Sequence, residues 1–234
     1  MTSMVLVHGA WGGSYGFRKV RPLLAAHGHE VFTPSLTGIG ERAHLARPNI
    51  DLSTHIKDVA NVIFYEDLHD IVLLGFSYGG MVVTGLLDEF ADRISHLVYL
   101  DAVIPDHGQS AADALGPLAG ALLSTAQNNV IAPVPRELDT PEATAWSNAR
   151  RTAQPVATFT EAVALRVPVD EHDLTRSFIK ATADPTESVD SGFWQAARRA
   201  ENSPAWNYHE IETNHMVPMT RPEELAQILL DLVD

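Results

Sequence analysis

The sequence predicts an α/β fold in which a parallel sheet carries helices on both faces and is interrupted by a small helical cap. Three observations predict it. Short runs that are largely apolar without alternation, such as "MVLVHG", "DIVLLGF" and "ISHLVYL", suit strands buried on both faces. Segments with helical spacing separate those runs, the alternation expected of an α/β sheet. One stretch, from about Pro105 to Asp173, breaks the alternation and is too long for an ordinary connection.

The elements follow in order. "MVLVHG" is the first strand, running from Met4 to Gly9, and "SYGFRKVRPLLAAHGH" then places Phe17, Val20, Leu23 and Leu24 at helical spacing before Gly28. "EVFTP" is the second strand and "TGIGERAH" a glycine-broken loop. "STHIKDVANVIFYED" carries Ile56, Val59, Ile63 and Phe64 on one helical face, with Ser53 or Thr54 placed to cap it. "DIVLLGF", "GGMVVTGLLDEFAD" and "ISHLVYLDA" supply the third strand, a helix and the fourth strand. "ADALGPLAGALLSTA" and "TPEATAWSNARRT" are proline-broken helical pieces with no convincing strand between them. The alternation resumes with "TRSFIKAT", "ESVDSGFWQAARRA" and "WNYHEIE", and "RPEELAQILLDLV" closes the chain with Pro222 in its first turn. Residues 1–104 and 174–234 are therefore expected to form the core and 105–173 the cap. Both attachment points of the cap are expected on the carboxyl edge of the sheet, so the cap should cover that edge.

Composition narrows the function classes. A chain of 234 residues, 45% hydrophobic, can build one large core, and it has no run of about 18 apolar residues for crossing a bilayer. The start "MTSMVLVHGAWGG" shows no basic leader and no cleavage site ahead of the first strand, and the chain contains no cysteine; together these lead us to expect a cytoplasmic protein. A formal net charge of −14 repels phosphate backbones, which argues against nucleic acid as a partner. The expected partner is a small-molecule ester or lactone, with no membrane and no nucleic acid; oligomeric state is left open.

The chemistry concentrates in "GFSYGG". Gly75, Ser77 and Gly79 form G-x-S-x-G between a strand and a helix, a turn that strains the serine backbone and exposes its hydroxyl. A serine hydroxyl needs a base, and the base an orienting acid. Among the 11 histidines, His215 alone falls between the last strand and the last helix; His8, His44, His55, His69 and His96 have no comparable place. For the acid, Asp184 in "ATADPT" follows the penultimate strand and is favoured, while Asp101 at the end of "LVYLD" competes, because such a sheet can orient the histidine from either loop. Asp106, Asp170, Asp173 and Asp190 read as cap or surface groups. The amides of Ala10 and Tyr78 are placed to form an oxyanion hole. "GAWGG" lacks the lysine of a nucleotide loop, and no metal or organic cofactor is called for.

Taken together, "VLVHGAWGG", "LTGIGER", "GFSYGG", "LVYLDAVIPDHGQS", "ATADPT" and "TNHMVPMTRPEEL" resemble the α/β-hydrolase superfamily. The likeness is to its small-cap branch of plant methyl-ester esterases, hydroxynitrile lyases and bacterial relatives, and it is strong in the core and weak in the cap. It implies about six parallel strands, Ser77 as nucleophile, His215 as base, Asp184 as acid and an oxyanion hole at Ala10 and Tyr78. Three positions depart from the pattern. Phe76 stands where a histidine is common, and Met216 and Ala10 stand where the lyases carry lysine and threonine. The missing lysine counts against cyanohydrin cleavage. The expected function is thus a cofactor-free serine carboxylesterase acting on a small, largely apolar ester. Lactone or thioester hydrolysis, a lyase reaction and noncatalytic binding on the same fold are the alternatives.

Overall fold

The structure, a computed structural model, describes residues 1–233. Six strands form one sheet: β1 Ser3–Val7, β2 Glu30–Phe32, β3 Ile71–Phe76, β4 Ile94–Leu100, β7 Thr175–Ala181 and β8 Asn207–Ile211. Every neighbouring pair is parallel, and the strand order is β2-β1-β3-β4-β7-β8. Along β3, Val72, Leu74 and Phe76 enter one apolar cluster while Ile71 and Leu73 enter the other. The strand is apolar throughout because each face meets its own layer of helices.

The helices are α1 Val20–Ala26, α2 Leu52–Tyr65, α3 Gly79–Gly85, α4 Leu87–Phe90, α5 Ala111–Leu115, α6 Pro117–Ser124, α7 Pro141–Asn148, α8 Ala157–Thr160, α9 Gly192–Glu201, α10 Val217–Thr220 and α11 Pro222–Asp231. Val20 and Leu24 of α1 pack with Leu225 and Leu229 of α11 on one face of the sheet. On the other face Val59 and Ile63 of α2, Met81 and Val82 of α3 and Phe193 and Ala197 of α9 share a cluster. Pro222 opens α11 as expected, since its fixed φ suits a first turn that needs no N–H donor.

Helix α2 differs from expectation at both ends. Its cap is Asp51, whose carboxylate accepts the Thr54 N–H at 2.8 Å, rather than Ser53 or Thr54. Its buried face runs Leu52, His55, Val59, Ile63, and Phe64 is left 59% exposed. The face turned because His55 takes an inward position, where it meets the Tyr78 hydroxyl and the Thr37 carbonyl beside the turn at Ser77.

Between β4 and β7 the chain builds the cap region from α5 to α8. It is not purely helical: β5 Val130–Ile131 and β6 Gln154–Pro155 pair antiparallel beneath it. Each is two residues long, too short for a periodic signal. The expected attachment also needs correction. Because β4 and β7 are parallel neighbours, only the outgoing segment leaves from the carboxyl edge; the returning one must run back to the amino end of β7. That return is tied to the core where the Arg166 N–H meets the Asp88 carboxylate at 2.9 Å.

The strand-to-helix turn at Ser77 depends on close backbone approach. A Cβ on Gly75 would lie 2.7 Å from both the Gly79 carbonyl oxygen and Val83 Cγ2. Gly75→Ala is therefore expected to destabilise the fold by about 1–3 kcal/mol, read as a lower urea midpoint. An unchanged midpoint would mean that α3 can move away from β3 at no cost.

Candidate active site

Ser77 sits at the carboxyl end of β3 with φ 57°, in the left-handed region that a serine adopts only when its surroundings impose it. Its N–H is held by the Leu100 carbonyl at 3.1 Å, extending the β3–β4 ladder by one bond. A Cβ on Gly9 would approach the Ser77 Cβ to 2.8 Å, so the loop after β1 comes this close to the hydroxyl only with glycine there. Ser77 Oγ lies 2.9 Å from His215 Nε2. His215 follows β8 and is clamped between Phe76 and Phe193, with ring centroids at 4.9 and 5.0 Å. The phenylalanine that departs from the family pattern thus forms one wall of the imidazole slot.

The structure departs from the expected acid. Asp101, fully buried at the end of β4, places Oδ2 2.6 Å from His215 Nδ1. Asp184 does not meet the ring. Its Oδ2 accepts the main-chain N–H of His215 at 3.1 Å, its Oδ1 accepts from Thr186, and Arg136 approaches at 3.5 Å. It fastens the histidine loop. Because Asp101 is a pure acceptor, the Nδ1 proton belongs to the His215–Asp101 bond, leaving Nε2 free to accept from Ser77. Burial alone would raise the Asp101 carboxyl; the hydrogen bond from His215 and the nearby charge of Lys180 outweigh it and hold the group below its ordinary value.

Ala10 and Tyr78 both line the cavity around Ser77. Among the described residues neither amide is committed to an acceptor within the chain. Tyr78 is held from two sides. Its ring stacks on Phe159 of the cap at 5.6 Å, and its hydroxyl lies 3.0 Å from His55 Nδ1. His55 Nε2 donates to the Thr37 carbonyl at 2.9 Å, so Nδ1 accepts the tyrosine proton and the imidazole is neutral. His8 does similar work for the other loop: Nδ1 donates to the Gly9 carbonyl at 2.9 Å and Nε2 accepts the Leu36 N–H at 3.1 Å. Burial lowers it to about 4.

The cavity holds about 270 Å³, room for a small substrate. Leu115, Leu118, Leu122, Val134 and Phe159 of the cap make most of its roof. Arg136 and Arg151 form one polar wall, and burial beside Arg136 lowers Arg151 to about 10. Trp11, with φ 59°, latches cap to core: its N–H donates to Gln154 Oε1 at 3.0 Å, and its indole N–H to the Ile131 carbonyl at 3.2 Å. Sequence reasoning missed Gln154, Arg136, Arg151 and Lys180, since none stands in a motif or at a position that periodicity marks.

The sequence pattern of the alpha/beta hydrolase family matches residues 4–228. The chain belongs to the alpha/beta hydrolase family. A carbendazim hydrolyzing esterase of Nocardioides sp. (strain SG-4G) is 37% identical over 99% of this chain and 100% of its own. Among solved structures, an extracellular alpha/beta-hydrolase from Paenibacillus species superposes with a TM-score of 0.85 at 22% identity, covering 99% of this chain and 98% of that one. A methylesterase from Arabidopsis superposes at 0.78 with 25% identity, over 100% and 99% of the two chains. This family member is a serine-type hydrolase. Among the described residues no helix is long and apolar enough to cross a membrane. The cytoplasmic address expected from the sequence is overturned by the Paenibacillus neighbour, which is extracellular. Lack of cysteine suits either compartment, so composition had no power to decide.

Proposed function

We propose that Ser77 is the nucleophile, His215 the general base and Asp101 the orienting acid of an acyl-enzyme mechanism, with the amides of Ala10 and Tyr78 as the oxyanion hole. The observation that carries this reading is the unbroken chain Ser77 Oγ–His215–Asp101, with contacts of 2.9 and 2.6 Å at the floor of a cavity roofed by apolar side chains. His215 takes the Ser77 proton as Oγ attacks the ester carbonyl, and the two amides receive the negative oxygen. His215 then protonates the leaving alkoxide and activates a water that releases the acid. Residues 105–173 act as the cap that selects the substrate. An ester with an apolar body and a carbonyl or ether oxygen fits the leucine roof and the arginine wall. Carbendazim, named for the Nocardioides relative, is the first candidate to assay.

The test is mass spectrometry of the intact protein after a small fluorophosphonate, run beside hydrolysis of p-nitrophenyl acetate. One adduct per chain mapped to Ser77, absent in Ser77→Ala, is expected together with turnover. A folded protein that neither labels nor turns over would instead be a binding protein on this fold.

A further inference from the structure

Lys180, the penultimate residue of β7, is wholly buried, and neither the serine mechanism nor a structural motif accounts for it. Its ammonium spends three protons on three acceptors: Asp101 Oδ1 at 2.6 Å, the Ala181 carbonyl at 2.7 Å and Glu187 Oε2 at 2.8 Å. The Trp194 ring closes over it at 4.5 Å. Burying an ammonium with two carboxylates costs desolvation that an apolar side chain in the same space avoids. Stability alone does not explain its presence.

What the ammonium does is visible at Asp101. Oδ1 is held by Lys180 and, at 3.3 Å, by the Ala181 N–H, so the carboxylate cannot rotate and Oδ2 is left aimed at His215 Nδ1. Beyond Lys180, Glu187 lines the catalytic cavity, and its Oε1 accepts from Ser191 Oγ at 2.6 Å, the residue that caps α9. A continuous polar chain therefore runs from Ser77 through His215, Asp101, Lys180 and Glu187 to the start of α9. We propose that Lys180 is a positioning residue for this site: it locks Asp101 toward His215 and, shared with Glu187, sets the local charge against which the imidazole accepts the serine proton. This role presupposes the assignments of Ser77, His215 and Asp101 proposed above.

The charges around the imidazole determine the signs. Asp101 faces Nδ1 from the end of β4; Asp184, paired with Arg136 of the cap, faces the His215 main chain; Phe76 and Phe193 cover the ring and carry no charge. With the imidazole neutral, Asp101, Lys180 and Glu187 sum to one negative charge. Lys180→Met makes that sum more negative and favours the imidazolium. Glu187→Gln cancels it and disfavours the imidazolium. A side chain that merely filled space would not shift the titration in opposite directions from two neighbouring positions.

The experiment follows His215 by NMR of histidine-labelled protein, assigned by the signal lost in His215→Gln, and in parallel the acid limb of kcat/KM for p-nitrophenyl acetate. Lys180→Met is expected to move both to higher pH by about one unit, and Glu187→Gln to move both to lower pH by a smaller step. Titrations that stay at the wild-type position, or that shift the same way in both variants, overturn the role of Lys180. If Lys180→Met does not fold, Glu187→Gln decides by itself, because Glu187 lies on the loop after β7 and outside the sheet, its amide can still accept from Ser191, and only a downward shift agrees. If the NMR titrations move as stated while the wild type shows no turnover, the charge chain stands and the hydrolase assignments fail instead.

Discussion

Asp101→Asn is expected to lower kcat for ester hydrolysis by about 10⁴-fold, whereas Asp184→Asn should lose no more than about tenfold. The reason lies in what surrounds each carboxylate. Lys180 Nζ and the Ala181 N–H both donate to Asp101 Oδ1, so an asparagine must turn its carbonyl oxygen toward them and its NH₂ toward His215. Nδ1 then has to accept, the imidazole proton moves to Nε2, and that proton faces the Ser77 hydroxyl which Nε2 should deprotonate. The fold survives and the tautomer is wrong. Asp184 acts on the loop. Its Oδ2 accepts the His215 N–H and its Oδ1 accepts from Thr186, functions an amide carbonyl retains in part. Steady-state kinetics of both variants, with circular dichroism to verify folding, check the pair. The reverse ranking would return the orienting role to Asp184 and would falsify the assignment of Asp101.

The same pair shows what could be read from the sequence and what could not. Ser77 and His215 were legible because their positions are set by local rules: a glycine-flanked serine between strand and helix, and a histidine after the last strand. The acid is not a local property. Asp101 and Asp184 follow adjacent parallel strands at the same edge, and what distinguishes them is long-range: the His215 ring and Lys180 meet Asp101, while of His215 Asp184 meets only the main chain. Nothing in "TRSFIKATADPT" announces that its lysine points inward. The order of strands and helices was legible from apolar runs, yet the buried face of α2 was not, because the position that turns inward is His55, a polar residue satisfied by Tyr78 and Thr37. The β5–β6 ribbon escaped for another reason. Its strands are held by pairing and by the Trp11–Gln154 latch, which are long-range contacts with no periodic trace.

The buried histidines that support the site should also govern its acid stability. His8 lies behind the Ala10 loop, 2% exposed, and burial lowers it from 6.5 to about 4. Unfolding releases it to its ordinary value, so between these two pH values the unfolded chain binds a proton that the folded one refuses. The stabilisation is present in full above about pH 6.5 and is lost as pH falls toward 4, about 3 kcal/mol from His8 alone. His96, also lowered to about 4 by burial, and His55 act in the same direction. The aspartates held low in the fold, Asp101, Asp113, Asp170 and Asp184, lose their contribution only below their unfolded values near 3.8, and Glu41 only below 4.5, so the carboxylate window overlaps only the lower end of the histidine one. Urea midpoints are expected to fall steeply from pH 6.5 to 4 in the wild type. In His8→Gln the midpoint should start lower at neutral pH, because the bonds to the Gly9 carbonyl and the Leu36 N–H are weakened, and then fall less across the same interval. Equal slopes in the two proteins would mean that His8 takes up its proton within the fold. The Gly9 carbonyl would then keep its partner, because an imidazolium still donates from Nδ1. The Leu36 N–H would face a second donor, so acid would loosen the loop after β2 before it reached the nucleophile turn.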